Sequence, residues 1–234
     1  MNCSEIKTTV SLNKESVTSL SGVGPKMAAR LEKCGVVTVQ DVLFHLPMRY
    51  EDRTVLTPLG HARPGQAVLV EGEIVQSEVV MAGRRSLLCH IRDGNRFLLL
   101  RWYHFNMMQQ RQLKPGLWVR CFGEVRFGSK GLEISHPDYK IMTADNRPAL
   151  TGELTPVYPS TEGVTQFLWR KLSDQALKAL AQSPCAELLP DVLCDEYQLP
   201  SLSEALKALH RPTRAIQLNS PQFKRYRSRL AFEE

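Results

Sequence analysis

Apolar residues near the N-terminus recur at helical spacing. Two runs, over residues 25–34 and 38–46, place their apolar side chains on one face at intervals of three and four. Thr38 and Asp41 have the spacing of a capping box, which marks the start of the second run. A Gly-Val-Gly turn at residues 22–24 precedes the first run. The pattern predicts a helical hairpin that begins after a glycine turn.

The period changes at about Ala67, where apolar and polar residues begin to alternate. Val68, Val70, Gly72 and Ile74 share one face, as in a strand with one buried side. After this strand the pattern predicts strands at 86–91 and 96–105, a short helix at 106–113, and strands at 117–127 and 132–136. Three strands, a helix and two strands follow the order of a five-stranded OB barrel, in which Gly72 would ease the bend of the first strand.

The last third of the chain returns to helical spacing. Residues 155–164 contain two prolines and a glycine, which predicts an extended, ordered connector instead of a strand. Amphipathic segments follow at 165–181 and 201–209. Residues 224–234 form a basic, helix-compatible run without a glycine or proline stop, so we expect a fragment of a longer chain.

These patterns predict an α+β fold in three successive parts. Residues 1–54 form an N-terminal helical hairpin segment, residues 55–148 a five-stranded OB-fold β-barrel, and residues 149–234 a helical C-terminal connector. Hydrophobic content of 43% and charged content of 23% are ordinary for globular proteins, which excludes wholesale disorder.

Positive charge is concentrated in two stretches. The formal net charge is +6, and residues 55–145 contain twelve basic and eight acidic residues. Residues 207–234 contain seven basic and two acidic residues. This distribution favours a polyanionic partner such as nucleic acid, with ordinary solvated surface charge as the alternative.

Several classes of site and compartment do not fit the sequence. The six cysteines include no C-x-x-C pair and have no histidine at metal-ligand spacing, so we expect neither a zinc site nor a disulfide framework. The first residues lack the pattern of a secretion signal, and no run of about 18 apolar residues occurs. We therefore expect a cytoplasmic protein without a membrane partner.

Aromatic residues cluster at the end of the third predicted strand. Trp102, Tyr103 and Phe105 could stack on nucleic-acid bases, because every base has a π face. Alternation in a strand would place Trp102 on the face opposite to Tyr103 and Phe105, so at least one ring belongs to the barrel core. The alternative is that all three rings pack in the core.

Arginines and a glycine turn are the other candidate DNA contacts. Arg84 and Arg85 follow Gly83 in the first hairpin turn, where two guanidinium groups can hold phosphates or remain solvated. Arg101 is a weaker candidate, because it could pair with Glu124 across the sheet.

The start of the helical hairpin is a further candidate. Backbone N–H groups near Gly22, Gly24 and Lys26 could bind a phosphate at the start of the first helix. The alternative is a packing hairpin that braces the barrel.

Several motifs resemble the N-terminal part of the RecG family of ATP-dependent DNA helicases. They occur in the family's order: LSGVGPKMAARL at 20–31, TVQDVLFHLPMRYEDRT at 38–54, GRR at 83–85, RWYHFN at 101–106, HPDY at 136–139, TPVYPSTEGV at 155–164, LWRKL at 168–172 and LPSLSEALKALHRP at 199–212. The resemblance implies an OB-fold wedge domain that grips branched DNA, with Trp102, Tyr103 and Phe105 near the branch point.

A motif for ATP binding, which the resemblance to a helicase family leads us to expect, is absent from this sequence. No G-x-x-x-x-G-K-[ST] phosphate loop occurs, so we expect no ATPase activity, no catalytic residue and no cofactor in this chain. ATP and Mg would bind to C-terminal helicase motor domains in the parent protein. We expect a monomer that binds forks and Holliday junctions in fork reversal, recombination and repair. One alternative is a stand-alone OB protein that binds single-stranded DNA or RNA, and another is an interaction domain whose basic tail docks a protein partner.

Overall fold

The computed structural model describes residues 12–81, 84–159, 163–183, 185–187, 189–216 and 218–232. In chain order the helices are α1 Pro25–Glu32, α2 Val39–Phe44, α3 Met107–Gln112, α4 Gln166–Gln182, α5 Asp191–Glu196, α6 Leu202–His210 and α7 Pro221–Ala231. The strands are β1 Arg49–Glu51, β2 Ala67–Val80, β3 Ser86–Asp93, β4 Arg96–Trp102, β5 Trp118–Gly128, β6 Gly131–Ser135, β7 Asp138–Met142 and β8 Thr155–Val157. They form two compact units: residues 53–151, here called the barrel unit, and residues 1–52 with 152–234, the helical unit.

The barrel unit closes through five strands. β2 pairs with β3 and β3 with β4, both antiparallel, and β4 then pairs with β6 in parallel. β6 pairs with β5, and β5 returns to β2, which closes the ring. This connectivity confirms the predicted five-stranded OB barrel. An additional strand that the sequence pattern did not predict, β7, pairs with the free edge of the first half of β5 and is the sixth strand of the sheet.

The predicted alternation of the first barrel strand is confirmed. Val68, Val70 and Ile74 are buried in the barrel core, and the strand is irregular between Ile74 and Gln76. A Cβ atom at Gly72 would lie 3.0 Å from the carbonyl oxygen of Arg92 on β3. Glycine at this position therefore allows β3 to approach the bent strand.

The predicted helical hairpin of the helical unit is also confirmed. Oγ1 of Thr38 accepts from the backbone N–H of Asp41 at 3.2 Å, and Oδ2 of Asp41 accepts from that of Thr38 at 2.8 Å. This capping box begins α2. α2 packs on α4 and α6 on α7, around a core that includes Trp169 and Phe223.

The predicted connector is partly wrong, since Thr155–Val157 forms β8. It pairs antiparallel with β1, with Tyr50 opposite Pro156. A two-stranded ribbon leaves one edge of each strand without a partner strand, and proline is tolerated on such an edge. Residues 1–54 and 149–234 were predicted as separate segments, whereas the structure assigns most of both to the helical unit.

Among the described residues, no helix combines the length and the apolar character needed to cross a bilayer.

Candidate nucleic-acid interface

The candidate interface lies where β4 ends beside the β2–β3 hairpin. Leu87 on β3 pairs with Trp102, the last residue of β4. The strand was predicted to end at Phe105, but it ends at Trp102. The backbone N–H of Tyr103 leaves the strand pairing and donates to Nε2 of the His136 side chain at 3.2 Å. The residues after Trp102 therefore leave the ladder next to the arginines that precede β3.

Two exposed guanidinium groups stand over two aromatic rings at this point. Cζ of Arg84 lies 5.3 Å from the ring centre of Tyr103, and Cζ of Arg85 lies 4.5 Å from that of Phe105. These are cation–π distances, and the contact orders an arginine without using its N–H groups. Within the described residues neither guanidinium pairs with a carboxylate, so both charges remain open to an anion. Gly83, the first residue of the predicted GRR turn, lies outside the described residues.

Trp102 does not fit the prediction of a DNA contact. Its side chain is 3% exposed in the barrel core, and its ring packs edge-on against Tyr139 with centroids 5.3 Å apart. A base could not stack on this ring unless the barrel opened. The prediction that at least one of the three rings belongs to the core is confirmed, and the rings left at the surface are Tyr103 and Phe105.

Arg101 is paired, but with a different partner from the one predicted. Its guanidinium contacts Oε2 of Glu133 at 2.9 Å, and both side chains are largely buried. Glu124 instead pairs with Arg126 on its own strand. The reason is topological: β6 lies between β4 and β5, so Glu133 is nearer to Arg101 than Glu124 is. A compensated charge contributes less to anion binding than the open charges of Arg84 and Arg85.

Two histidines, His104 and His136, also belong to the cluster. Nη2 of Arg84 lies 2.5 Å from Nε2 of His104, and the rings of His104 and His136 are 6.0 Å apart. His136 has a φ of +50°, and its backbone N–H donates to the carbonyl oxygen of Arg101 at 2.7 Å. Burial, His104 and Arg84 lower the pKa of His136, in that order of size. The predicted OB topology could have identified His136. In that topology the third and fifth strands pair in parallel, and this pairing places the residue after β6 beside the end of β4.

The start of α1 is held by α4. Gly22 has a φ of +102°, and Gly24 is the N-cap residue before Pro25. The side chain of Gln175 bonds both the N–H and the carbonyl of Ser21, at 2.7 and 3.2 Å. Gly24 and Lys26 are exposed. The contacts explain a packing hairpin within the helical unit, and phosphate binding at Gly22, Gly24 and Lys26 stays a prediction.

Within the described ranges, no three His, Cys, Asp or Glu side chains come together in a way that could hold a metal ion.

The sequence and the fold are similar to those of known proteins. The family model described as RecG wedge domain matches residues 17–180. The ATP-dependent DNA helicase RecG of Escherichia coli K12 is 42% identical over 208 residues, which cover 89% of this chain and 30% of the relative. RecG of Haemophilus influenzae is 43% identical over 227 residues, which cover 95% of this chain and 32% of the relative. The chain thus spans less than a third of the length of these relatives.

A solved structure of RecG bound to a three-way DNA junction is also similar. The TM-score is 0.73 at 26% sequence identity, and the match covers 99% of this chain and 31% of that one. The family match extends over both the helical hairpin and the whole barrel. The chain therefore belongs to the RecG wedge domain family.

Proposed function

We propose that this chain binds branched DNA as the wedge module of a RecG-type ATP-dependent helicase that acts in fork reversal, recombination and repair. The observation that carries the proposal is the pair of guanidinium–aromatic contacts at one end of the OB barrel. The similar RecG structure with a three-way junction supports branched DNA over linear DNA as the ligand.

The arginines supply the attraction to the DNA backbone. A guanidinium group presents its N–H donors in a planar fork that matches two oxygens of a phosphate. Arg84 and Arg85 are both exposed and adjacent, so they can contact successive phosphates of one strand. These contacts do not depend on base sequence, which suits a module that must act at any branch point.

The aromatic rings supply the preference for a branch. At a junction the last base pair loses a stacking neighbour, and an aromatic ring can replace that neighbour at about 1 to 3 kcal/mol per base. Tyr103 is partly exposed beside Arg84, whereas Phe105 packs partly on the barrel core. We therefore assign the capping contact to Tyr103 and a supporting role to Phe105.

The parent protein's activity extends beyond this chain. ATP hydrolysis and Mg binding belong, in our proposal, to motor domains that follow in cis, while this chain is a monomeric binding module for forks and Holliday junctions. Chromosomal DNA places such a module in the bacterial cytoplasm. The sequence lacks a phosphate loop, and we expect the chain alone to turn over no ATP.

The first prediction compares a three-way junction with a linear duplex as ligands of the 234-residue chain. Tyr103→Ala should lower the preference for the junction about tenfold, which corresponds to about 1.4 kcal/mol, since plain duplex offers no open base to stack on. Fluorescence anisotropy titrations of both ligands measure this preference. Phe167→Ala is the matched control, because it removes an aromatic ring that is 71% exposed on α4.

The same titrations separate the proposal from its alternative. An OB barrel is also the fold of general single-strand binders, whose affinity for single strands would exceed that for the junction. Tighter binding of a single strand than of the junction would replace the wedge function by that alternative. Equal affinity for junction and duplex would contradict the wedge function outright.

A further inference from the structure

The contact between Arg84 and His104 defines the hydrogen-bonding role of the histidine. Nη2 of Arg84 and Nε2 of His104 are 2.5 Å apart. A guanidinium group carries only donors, so Nε2 of His104 is the acceptor and the imidazole is neutral. Arg84 thus has a neutral imidazole, and not a carboxylate, as its hydrogen-bond partner.

Charged and titratable groups from three elements lie around His104. Arg84 comes from the β2–β3 hairpin, whose next residue, Arg85, lies over Phe105. His136 follows β6 and lies 6.0 Å from His104, ring to ring. From β4 comes Arg101, whose charge is balanced by Glu133 of β6. Among these groups, the uncompensated positive charge is that of the two hairpin arginines, Arg84 and Arg85.

We propose that His104 is a proton-linked phosphate ligand, which takes up a proton when a DNA phosphate engages Arg84. The inference rests on the proposed function, since the phosphate is that of the bound DNA. Once Arg84 turns its N–H groups to the phosphate, the lone pair on Nε2 of His104 faces phosphate oxygens and is repelled by them. A proton from solvent on Nε2 converts this repulsion into a charge-assisted N–H···O contact.

His136 has a different role in the cluster. Its Nε2 accepts the backbone N–H of Tyr103 at 3.2 Å, and this acceptor must stay unprotonated for the bond to persist. The lowered pKa of His136 is consistent with a neutral ring. His136 is therefore a positioning residue for Tyr103, and the exchanged proton belongs to His104.

The experiment measures the proton directly. Junction binding to the whole chain is followed by calorimetry at about pH 7 in Pipes and in imidazole buffer, whose ionisation enthalpies differ. A histidine that titrates on binding gives an uptake of about half to one proton, and junction affinity about tenfold higher at pH 6 than at pH 8. His104→Gln keeps an acceptor for Arg84 but cannot take up the proton, so its binding heat should be the same in both buffers.

Controls separate failure of the inference from failure of the proposed function. His61→Gln removes an exposed histidine from the 3₁₀ turn Leu59–His61 and should leave the uptake unchanged. Gly60 in that turn packs near Arg96, the first residue of β4, whereas Tyr103 follows the last. Junction binding without proton uptake, or uptake that persists in His104→Gln, overturns the inference and leaves the proposed function standing. Absence of junction binding at every pH overturns both.

Discussion

Trp102 and Tyr103 are adjacent aromatic residues with opposite surroundings. Trp102 is the last residue of β4 and points into the barrel core, where it contacts Tyr139. Tyr103 has left the strand, is held by His136, and lies between the guanidinium groups of Arg84 and Arg101. Two adjacent residues thus differ in that the Trp102 ring packs in the core, whereas the Tyr103 ring is partly exposed beside guanidinium groups.

The second prediction follows from this contrast. Trp102→Ala should lower the free energy of unfolding by about 3 to 5 kcal/mol, because it removes a large ring and leaves a cavity in a packed core. Tyr103→Ala should cost less than about 1.5 kcal/mol, since its ring is partly exposed and loses mainly cation–π contact. Denaturant unfolding of both variants measures the difference. Equal losses of stability would return Tyr103 to the core and leave the hairpin arginines as the principal DNA contact.

At the scale of elements, local signals were sufficient for most of the fold. A capping box, short apolar runs and alternation each act within a few residues, and they predicted α2, the β3–β4 hairpin and β2. The missed strands, β1, β7 and β8, are short and are defined by partners distant in sequence. Local periodicity contains no information about such partners.

The same distinction applies to the candidate site. Arg84 and Arg85 were predicted because a hairpin turn is a local feature, and the structure brings them to Tyr103 and Phe105. His136 and the Arg101–Glu133 pair depend on the parallel pairing of β4 with β6. An OB topology implies that pairing, so register reasoning across the two strands was the signal that could have identified them.

A buried histidine joins three elements of the helical unit. Nε2 of His210, at the end of α6, lies 2.8 Å from the carbonyl oxygen of Leu43 in α2. Nδ1 lies 2.9 Å from the hydroxyl of Tyr158, which follows β8. The carbonyl can only accept, so Nε2 carries the proton and Nδ1 accepts from the tyrosine. Burial lowers the pKa of His210 to about 4, and the Leu43 carbonyl offsets this only in part.

The third prediction is an acid sensitivity of the helical unit. The unfolded chain binds a proton at this histidine below about pH 6.5, while the folded chain does not, so its stabilisation is complete above that pH. It declines as the pH falls from 6.5 to about 4, by an amount on the order of 3 kcal/mol. The pH dependence of urea unfolding measures this loss. His210→Gln should make the unfolding free energy less dependent on pH in this window. The change in slope should correspond to up to about one bound proton.

A direct titration covers the case in which that variant does not fold. In the wild-type chain, NMR of the imidazole C–H protons should show no titration of His210 near pH 6.5, because burial lowers its pKa to about 4. Titration of His210 near 6.5 in the folded chain would contradict the prediction.

At the scale of the whole molecule, many of the arginines form ion pairs with carboxylates. Within the barrel unit Arg53 pairs with Asp138, Arg92 with Glu73, Arg120 with Glu71 and Arg126 with Glu124. Arg84 and Arg85 differ in having aromatic partners but no carboxylate partner within the described chain. In the helical unit, α7 buries Phe223, Tyr226 and Leu230, while Lys224 and Arg225 are exposed. Net charge therefore overstates the number of cations that are arranged around a ligand site.

The last prediction uses these two pairs of cations as matched variants. Binding to DNA that neutralises phosphates weakens with salt, with a log–log slope of about −0.9 per phosphate on duplex. Replacing Arg84 and Arg85 by Ala should make the slope for the junction shallower by about two units if each contacts a phosphate. Replacing Lys224 and Arg225 by Ala removes the same charge and should leave the slope nearly unchanged, because no aromatic contact orders them as Arg84 and Arg85 are ordered in the described structure. Equal changes in both double variants would mean that total charge, and not the hairpin geometry, determines the affinity. A shallower slope in the α7 variant alone would place the DNA backbone on the basic tail.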